Sequence, residues 1–588
     1  MSAPIDDERS SGSSPESGPG RSPRTSVERR EGHAIEAHVI DDFESIDLEE
    51  EVPDEDSIPT PQAAPQAPTD ASKERLARLV AIIERMQPTR MEILRSVPMH
   101  RMVQCFGQVF WASAEREFFH LSQVTEFYDE FLSHSWQVES WKKVLLLITL
   151  KNGAPACVMG TLGAAIMMVL FQLDFLPGFK KSHLHFQWSF WSSAVGIVLA
   201  LMTLLFWRPR GSVFVDRMCI NQFDGRMKAE GIMNIGAILK VSKSLLVVWD
   251  DSYVERLWCM FEMAAFLKAH PDTEKAAKLV RVQPVQLGVI VLPISLLFAV
   301  LGISGIVNPA ENVLAIWSIL LVMIILAGLF CCHTLRRYYR SLEATNRRLQ
   351  RFELQKAFCW CCSVNHINPT TGQPIAMCDR EIVRQCVTSW YGSEKEFDRS
   401  VRTVVATALK QQLGCDALPY GWILGGTSSF LWPLLDLLAS YYRDDLVRHL
   451  VPNYVIRFAA YWLWMIPTVA TVGLFLARCF RAQARSKLGD FCKDLLVLVL
   501  AVPTVLAFLA WQVYTELIFM HSGHETWGGL LFAAAALITF VAARKVYHLG
   551  NRRFEDLALA AQPETTADLA DENGTGESAL PPVEHVAV

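Results

Sequence analysis

The fold is decided by residues 212–267, which read SVFVDRMCINQFDGRMKAEGIMNIGAILKVSKSLLVVWDDSYVERLWCMFEMAAFL. Two short apolar runs, 212–215 and 244–249, predict strands that are covered on both faces. Between them, apolar residues recur at helical spacing after Gly231, which predicts a crossover helix. A strand, a helix and a second strand of this length form a unit whose two strands are parallel.

A second helix is expected after the second strand. Residues 252–255 read SYVE, the pattern of a capping box, so the helix is expected to begin at Ser252 and to end at the His270-Pro271 pair. Upstream, FYDEFL at 127–132 predicts a third strand, which is followed by an apolar helix from near Trp141.

Polar or charged residues follow each of the three predicted strands. They are Ser133 and His134, Asp216 and Arg217, and Asp250 and Asp251. Ligands of open parallel sheets bind outside the carboxyl ends of the strands. A functional site is therefore expected where these residues meet.

Three segments, FLSHSW, VFVDRMCINQ and SLLVVWDDSYVERLWCMFE, resemble the Toll/interleukin-1 receptor (TIR) domain, and the second also resembles the heterokaryon-incompatibility domain. They share a first strand ending in serine, a second ending in an acidic residue, and a helix opening with Trp-Cys-x-x-Glu, here Trp258, Cys259 and Glu262. The resemblance implies a flavodoxin-like parallel sheet with the 127–132 strand between the other two. The chain departs from the family by a long, largely apolar insertion between its first two strands.

The resemblance also implies a chemistry. Some TIR domains hydrolyse NAD, and the glutamate of their Trp-x-x-x-Glu helix carries the reaction; the matching residue here is Glu262. Cleavage between nicotinamide and ribose builds positive charge on the ribose, which a carboxylate in a poorly solvated site stabilises. The residues expected to bind the substrate or to cover its pocket are Ser133, His134, Asp216, Arg217, Asn221, Gln222 and Trp258. NAD is then a substrate, and no cofactor is expected.

Two further classes of function compete with NAD hydrolysis. Many TIR domains catalyse nothing and signal by self-association, and in such a module Glu262 would be a structural carboxylate bonded to a backbone amide or to Arg217. A transporter or channel is disfavoured because ionisable residues are rare in the apolar segments. Those present are Asp174, Asp436 and Arg457.

Composition predicts a multi-pass membrane protein, because 51% of the 588 residues are apolar and the mean hydropathy is +0.21. Because the amino terminus is polar, no cleaved signal peptide is expected. Seven segments are long enough to span a bilayer: 154–176, 188–207, 285–307, 312–332, 457–477, 495–514 and 527–543. A weaker eighth, 421–439, gives eight spans, and the basic loops then place the sheet and both termini in the cytosol. The lipid bilayer and a second copy of the chain are the expected partners, and no nucleic acid is expected.

The expected organisation is an α/β sheet domain interrupted by transmembrane helical hairpins. Its parts are a disordered acidic tail (1–70), an amphipathic helix with the first strand and helix (71–150), a transmembrane hairpin (154–207), the rest of the TIR-like core (208–284), a second hairpin (285–332), a cytosolic Cys-rich helical region (333–419), the C-terminal transmembrane helices (420–545) and a disordered tail (546–588). A fourth strand is expected at 278–283 and a fifth at 374–377, before a helix at 379–390.

The fourteen cysteines are expected to be mostly reduced, because no secretory signal is predicted. Five potential zinc ligands lie close together in sequence: Cys359, Cys361, Cys362, His366 and Cys378. Their spacing is not a familiar zinc pattern, so buried thiols and lipidation stand as alternatives and no metal is the primary expectation.

Overall fold

A computed structural model describes residues 70–560, except 114–115, 181–186, 272–277, 308–312, 368–371, 376–377, 408, 410–417 and 520–523. The predicted disorder of residues 1–69 and 561–588 lies outside the described residues. Residues 546–560 belong to a helix, so the boundary expected at 546 is wrong.

The strands are β1 (Arg95–Pro98), β2 (Gln123–Val124), β3 (Glu130–His134), β4 (Phe179–Lys180), β5 (Gln187–Trp188), β6 (Ser212–Phe214), β7 (Leu245–Trp249) and β8 (Val280–Pro284). Six of them form one mixed sheet in the order β2-β1-β6-β3-β7-β8, and β4 pairs with β5 in a separate hairpin. Strands β6, β3, β7 and β8 are parallel neighbours. β1 lies antiparallel to β6, and β2 lies antiparallel to β1.

The centre of the sheet has the expected order. Strand β3 lies between β6 and β7, and Ser133 of β3 is in register with Val247 of β7. Every residue of β3 and β7 is buried, as expected of parallel strands covered on both faces. The expectation of an all-parallel sheet is wrong at one edge, where β1 and β2 run antiparallel.

The strand expected at 278–283 is present as β8. The strand expected at 374–377 is wrong in its described part, because Pro374 makes only an isolated bridge to Ile367. Proline lacks the backbone N–H that a ladder needs. The helix expected after it is present, as Asp379–Tyr391.

The α-helices are α1 (Asp70–Arg85), α2 (Met99–Gly107), α3 (Ser140–Gln172), α4 (Trp191–Phe206), α5 (Asp216–Cys219), α6 (Gly225–Met233), α7 (Ile235–Lys240), α8 (Leu257–Ala269), α9 (Gln286–Val307), α10 (Val313–Gln350), α11 (Trp360–Ser363), α12 (Asp379–Tyr391), α13 (Glu394–Ser400), α14 (Tyr420–Gly426), α15 (Leu431–Arg443), α16 (Val451–Ala460), α17 (Ile466–Cys479), α18 (Lys487–Phe519) and α19 (Glu525–Ala560). Helix α8, which carries Glu262, packs against α7 and α12.

Helix α8 begins later than expected. Ser252 caps no helix, because its hydroxyl donates to Asp250 Oδ2 over 2.7 Å and only one 3₁₀ turn, Tyr253–Glu255, follows. The α-helix starts at Leu257 and ends at Ala269, before the predicted His270-Pro271 stop. The crossover is likewise two helices, α6 and α7, separated at Asn234.

Five helices are long and apolar enough to cross a membrane. They lie in α3, in α10, in the run Arg448–Cys479 and in α18 and α19. A sixth span results if α14 and the helix Ser428–Arg443, which meet at a 44° bend, are counted as one. The two remaining apolar segments of the sequence form shorter helices, Trp191–Phe206 and Gln286–Leu301.

The sheet and the apolar helices are directly connected. Helix α3 is one continuous element of 33 residues, so the first helix of the sheet domain and the first apolar segment are not separate. Helix α9 follows β8 after one residue and packs tightly on α3. At Gly288, a Cβ atom would lie 2.4 Å from the backbone nitrogen of Leu146, so only glycine permits this contact.

Candidate functional site

The site lies at the carboxyl ends of β3, β6 and β7. Ser133 is the fourth residue of β3 rather than the first residue after it, and it is fully buried. Asp216 opens the short helix after β6, and Asp250 follows β7. Helix α8 brings Glu262 over this edge from the other direction, where it meets Ser133.

Glu262 ends a chain of three hydrogen-bonding groups. The Ser133 hydroxyl donates to Glu262 Oε2 over 2.5 Å, and Ser133 Oγ lies 2.7 Å from the Tyr253 hydroxyl. The Tyr253 hydroxyl also lies 3.4 Å from the carbonyl oxygen of Cys259, to which it can donate. The chain can therefore run in either direction: towards an ionised Glu262 from Tyr253, or from a protonated Glu262 to the Cys259 carbonyl.

The environment of Glu262 favours its neutral form. Burial raises the pKa of Glu262 to about 8, the negative charge of Asp216 acts in the same direction, and the hydrogen bond from Ser133 opposes both. Burial also raises the pKa of Asp216 and places that of Tyr253 well above its ordinary value. A carboxyl with such a pKa exchanges its proton near physiological pH, which is uncommon outside functional sites.

His134 faces away from Glu262, because successive residues of a strand point to opposite faces of the sheet. Its ring packs edge-on against Phe110 and Trp136, at centroid distances of 5.5 and 4.7 Å. Burial and the positive charge of Lys143 hold the pKa of His134 well below its usual range, so the imidazole is neutral. The structure therefore places His134 in the packing around the site rather than beside Ser133 and Glu262.

Asp216 lies on the His134 side of β3. Its Oδ2 accepts a hydrogen bond of 3.0 Å from Trp136 Nε1, and its Oδ1 accepts one of 2.6 Å from the Arg217 amide. The Lys143 ammonium is buried 4.9 Å from the centre of the Trp136 ring, and its Nζ has no hydrogen-bond partner among the described residues. The positive charge of Lys143 and the hydrogen bonds from Trp136 and Arg217 oppose the effect of burial on the pKa of Asp216.

Two of the other predicted residues, Arg217 and Asn221, have structural roles. The Arg217 guanidinium donates to the carbonyl oxygens of Val109, Ala112 and Ser113, so it is not the partner of Glu262. The Asn221 side chain accepts from the Phe223 and Asp224 amides and holds a turn.

Trp258 and Gln222 also point elsewhere. Trp258 Nε1 donates to Asp379 Oδ2 over 3.3 Å, which ties α8 to α12. Gln222 Nε2 lies 3.4 Å from the Asp216 carbonyl oxygen, so it braces the loop without reaching a carboxylate. Of the residues predicted for this site, the structure brings Ser133 directly to Glu262.

The sequence interpretation missed Tyr253 and Lys143. Tyr253 lies in the DDSYVE turn, and its hydroxyl is fully buried between Ser133 and Cys259. Lys143 is the second of two adjacent lysines at the start of a largely apolar helix, and the sequence does not reveal that it is the buried one. Tyr253 lies in a predicted helix cap and Lys143 lies in a predicted apolar helix. These interpretations gave no reason to place either residue at the site.

Two cavities of the described part lie away from Glu262. One, of about 440 Å³, is lined by basic side chains at the end of α10, including Arg347, Arg348 and Arg351. The other, of about 320 Å³, is apolar and lies among α9, α14 and α17.

Comparison with known proteins leaves this site to be judged on its own geometry. No family model matches the chain, and no curated protein or solved structure matches it.

We expect Ser133→Ala to raise the pKa of Glu262 further, since it removes the hydrogen bond that opposes burial. It should also lower the free energy of unfolding by about 1–2 kcal/mol, because a buried hydrogen-bond partner of Tyr253 is lost. Thermal unfolding at several pH values measures both effects. Unchanged stability at every pH would contradict the hydrogen-bonded chain.

Proposed function

We propose that the protein is a membrane-anchored, TIR-like signalling protein that hydrolyses NAD through Glu262. The observation that supports this proposal most directly is the buried carboxyl of Glu262 at the carboxyl ends of three parallel strands, bonded to the Ser133 hydroxyl. Ligands bind at this edge of open parallel sheets.

The proposed chemistry is cleavage of the bond between nicotinamide and ribose. The bond between nicotinamide and ribose breaks, and nicotinamide leaves as positive charge develops on the ribose. Water then attacks the same carbon and loses a proton to the solvent, which gives ADP-ribose. An ionised Glu262 stabilises that charge, and Ser133 orients the carboxylate by donating to it. The pyridinium of NAD is cationic, so its arrival favours the ionised form of Glu262.

The apolar helices serve as the anchor in this proposal. Many of their large apolar side chains are exposed, such as Leu495, Val499 and Leu506 of α18, and this surface suits contact with lipid. Basic residues cluster at the end of α10, and by the rule that basic loops face the cytosol we place the sheet and both termini there.

Incubation of the full-length protein in detergent or vesicles with NAD tests the proposal, with nicotinamide and ADP-ribose as the measured products. We expect kcat/KM to rise with pH between pH 6 and 9 through an apparent pKa near 8, because the ionised Glu262 is the active form. The rise of kcat with pH should occur at lower pH than that of kcat/KM, since bound cationic substrate lowers the pKa of the Glu262 carboxyl. Turnover that is independent of pH over this range would contradict the role of Glu262.

A non-catalytic interaction module is the second candidate. It is favoured by the closed chain of Tyr253, Ser133 and Glu262, in which every polar side chain already has a partner within the protein. Absence of NAD turnover together with concentration-dependent self-association of the full chain would support this module over the enzyme.

The structure adds physical grounds against transport. Asp436 and Arg457 are buried and bonded within the helix bundle: Asp436 accepts from Ser192 and Ser193, and Arg457 donates to Asn453 and Gln512. Groups that are engaged in this way hold neighbouring helices together, which accounts for their presence in the apolar segments without a transport pathway.

A further inference from the structure

Four cysteine thiols meet next to the helix that carries Glu262. The sulfur atoms of Cys359, Cys361, Cys362 and Cys378 all lie within 4.8 Å of one another. Cys359 Sγ is 3.0 Å from Cys361 Sγ, and Cys378 Sγ is 3.6 Å from Cys361 Sγ and 3.4 Å from Cys362 Sγ. All four are free thiols.

We propose that these four cysteines bind one zinc ion as a tetrathiolate site. In a tetrahedral site with bonds of about 2.3 Å from zinc to sulfur, the sulfur atoms are about 3.8 Å apart, which lies within the separations observed here. Thiolates are soft ligands that select zinc over magnesium or calcium. An iron–sulfur cluster bonds its cysteines to different irons and spreads them further apart than a single ion does.

The local fold brings the ligands together from two short elements. Cys359 precedes α11, and Cys361 and Cys362 lie on it. Cys378 directly precedes α12, where the carbonyl of Cys378 accepts the Glu381 amide and begins the helix. The amino terminus of a helix favours negative charge, so this position suits a thiolate.

His366 does not bind the metal in this proposal but contacts one of the cysteine ligands. Its Nε2 lies 3.7 Å from Cys362 Sγ, and its backbone amide donates to the Cys361 carbonyl over 2.8 Å. A ring N–H at this position can hydrogen-bond to the metal-bound thiolate and orient it. The spacing of these residues differs from familiar zinc patterns because His366, a candidate ligand in the sequence, contacts the ligand Cys362 instead of the metal.

Two neighbours of the cysteine ligands, Phe358 and Asp379, bond to helix α8 or to the turn before it. Phe358, next to Cys359, donates to the Glu255 carbonyl over 2.5 Å and accepts from the Leu257 amide over 3.1 Å. Asp379, next to Cys378, accepts from Trp258 Nε1. A metal at the cysteines therefore fixes the first turn of α8, from which Glu262 projects one turn later.

Metal analysis of the full-length protein tests the site without any reference to activity. We expect close to one zinc per chain as purified, and replacement by Co²⁺ should give the intense thiolate-to-cobalt absorption of a tetrahedral site. Cys361→Ser and Cys378→Ser should lose most of the bound zinc. The matched control is Cys386→Ser, which makes the same chemical change at a buried cysteine of α12 outside the cluster. Zinc retained by the cluster variants, or no metal in the wild-type protein, overturns the proposal.

A second measurement covers variants that do not fold. Titration of folded wild-type protein with an organomercurial reagent should release its zinc as the cluster thiols react, with a colorimetric zinc indicator as the readout. Wild-type protein that holds a disulfide among these cysteines under non-reducing conditions, and no metal, contradicts the site. The consequence for Glu262 rests on the proposed function, but the zinc content does not, so failure of NAD turnover leaves this test intact.

Discussion

Glu262→Gln is expected to lower the rate of NAD cleavage by about 100-fold or more, as loss of a preorganised charge at the reacting centre does. The glutamine keeps the shape of the side chain, and its carbonyl oxygen can still accept the hydrogen bond from Ser133. What it removes is the negative charge that stabilises the developing positive charge on the ribose. Nicotinamide release at pH 8, where the wild-type carboxyl is half ionised, is the measurement.

Although Glu262→Gln is expected to lower activity, it should raise the stability of the fold at high pH. The folded pKa of Glu262 is raised above its unfolded value, from 4.5 to about 8. Below pH 4.5 both states are protonated and the full stability is present; between pH 4.5 and 8 the unfolded state ionises first, so stability falls as pH rises. Each pKa unit corresponds to about 1.4 kcal/mol, so the loss reaches several kcal/mol. Glu262→Gln should remove this loss.

The matched control is Glu255→Gln, which makes the same change on an exposed side chain two residues before α8. Glu255 pairs with Arg348 over 2.9 Å on the surface, and such pairs contribute little to stability. The control should keep both the activity and the pH dependence of the wild-type protein. If both variants lose activity equally, the assignment of Glu262 as the reacting carboxylate is wrong.

The core of the sheet was predictable because its signals are local. The runs that form β6 and β7 are apolar, and the order β6, β3, β7 is the one that the resemblance to a flavodoxin-like TIR sheet implies. The approach of Glu262 to Ser133 follows from that order. The antiparallel edge was not predictable in this way, because β1 ends in Pro98 and β2 has only two residues.

The errors at the site come from competing local bonds. The SYVE pattern at 252–255 predicts a cap, but Asp250 takes the Ser252 hydroxyl and delays the helix to Leu257. Side-chain hydrogen bonds of this kind compete with helix caps, and sequence spacing does not reveal which one forms. Likewise, the sequence allows Arg217 as a partner of a structural Glu262, but three carbonyl groups in residues 109–113 bind it instead.

Asp436 has a structural role that its position in the sequence does not reveal. In the sequence it is a charge in a weak apolar segment, as in a transport pathway. In the structure it is 1% exposed, and its carboxylate accepts the amides of Ser192 and Ser193, each over 2.8 Å, and the hydroxyl of Ser189 over 2.7 Å. It therefore joins α15 to the first turn of α4, where a negative charge is favoured.

Asp436→Asn should lower the free energy of unfolding by about 1–3 kcal/mol, the cost of leaving a buried hydrogen-bonding group without its partner. The asparagine keeps one acceptor oxygen, but its NH₂ group faces a backbone N–H that then has no acceptor. The control is Asp445→Asn, since the side chain of Asp445 is 90% exposed. Denaturant unfolding of the two variants in the same detergent gives the comparison. Equal stability of both would mean that Asp436 does not hold the two helices together, and would return it to the candidates for a transport pathway.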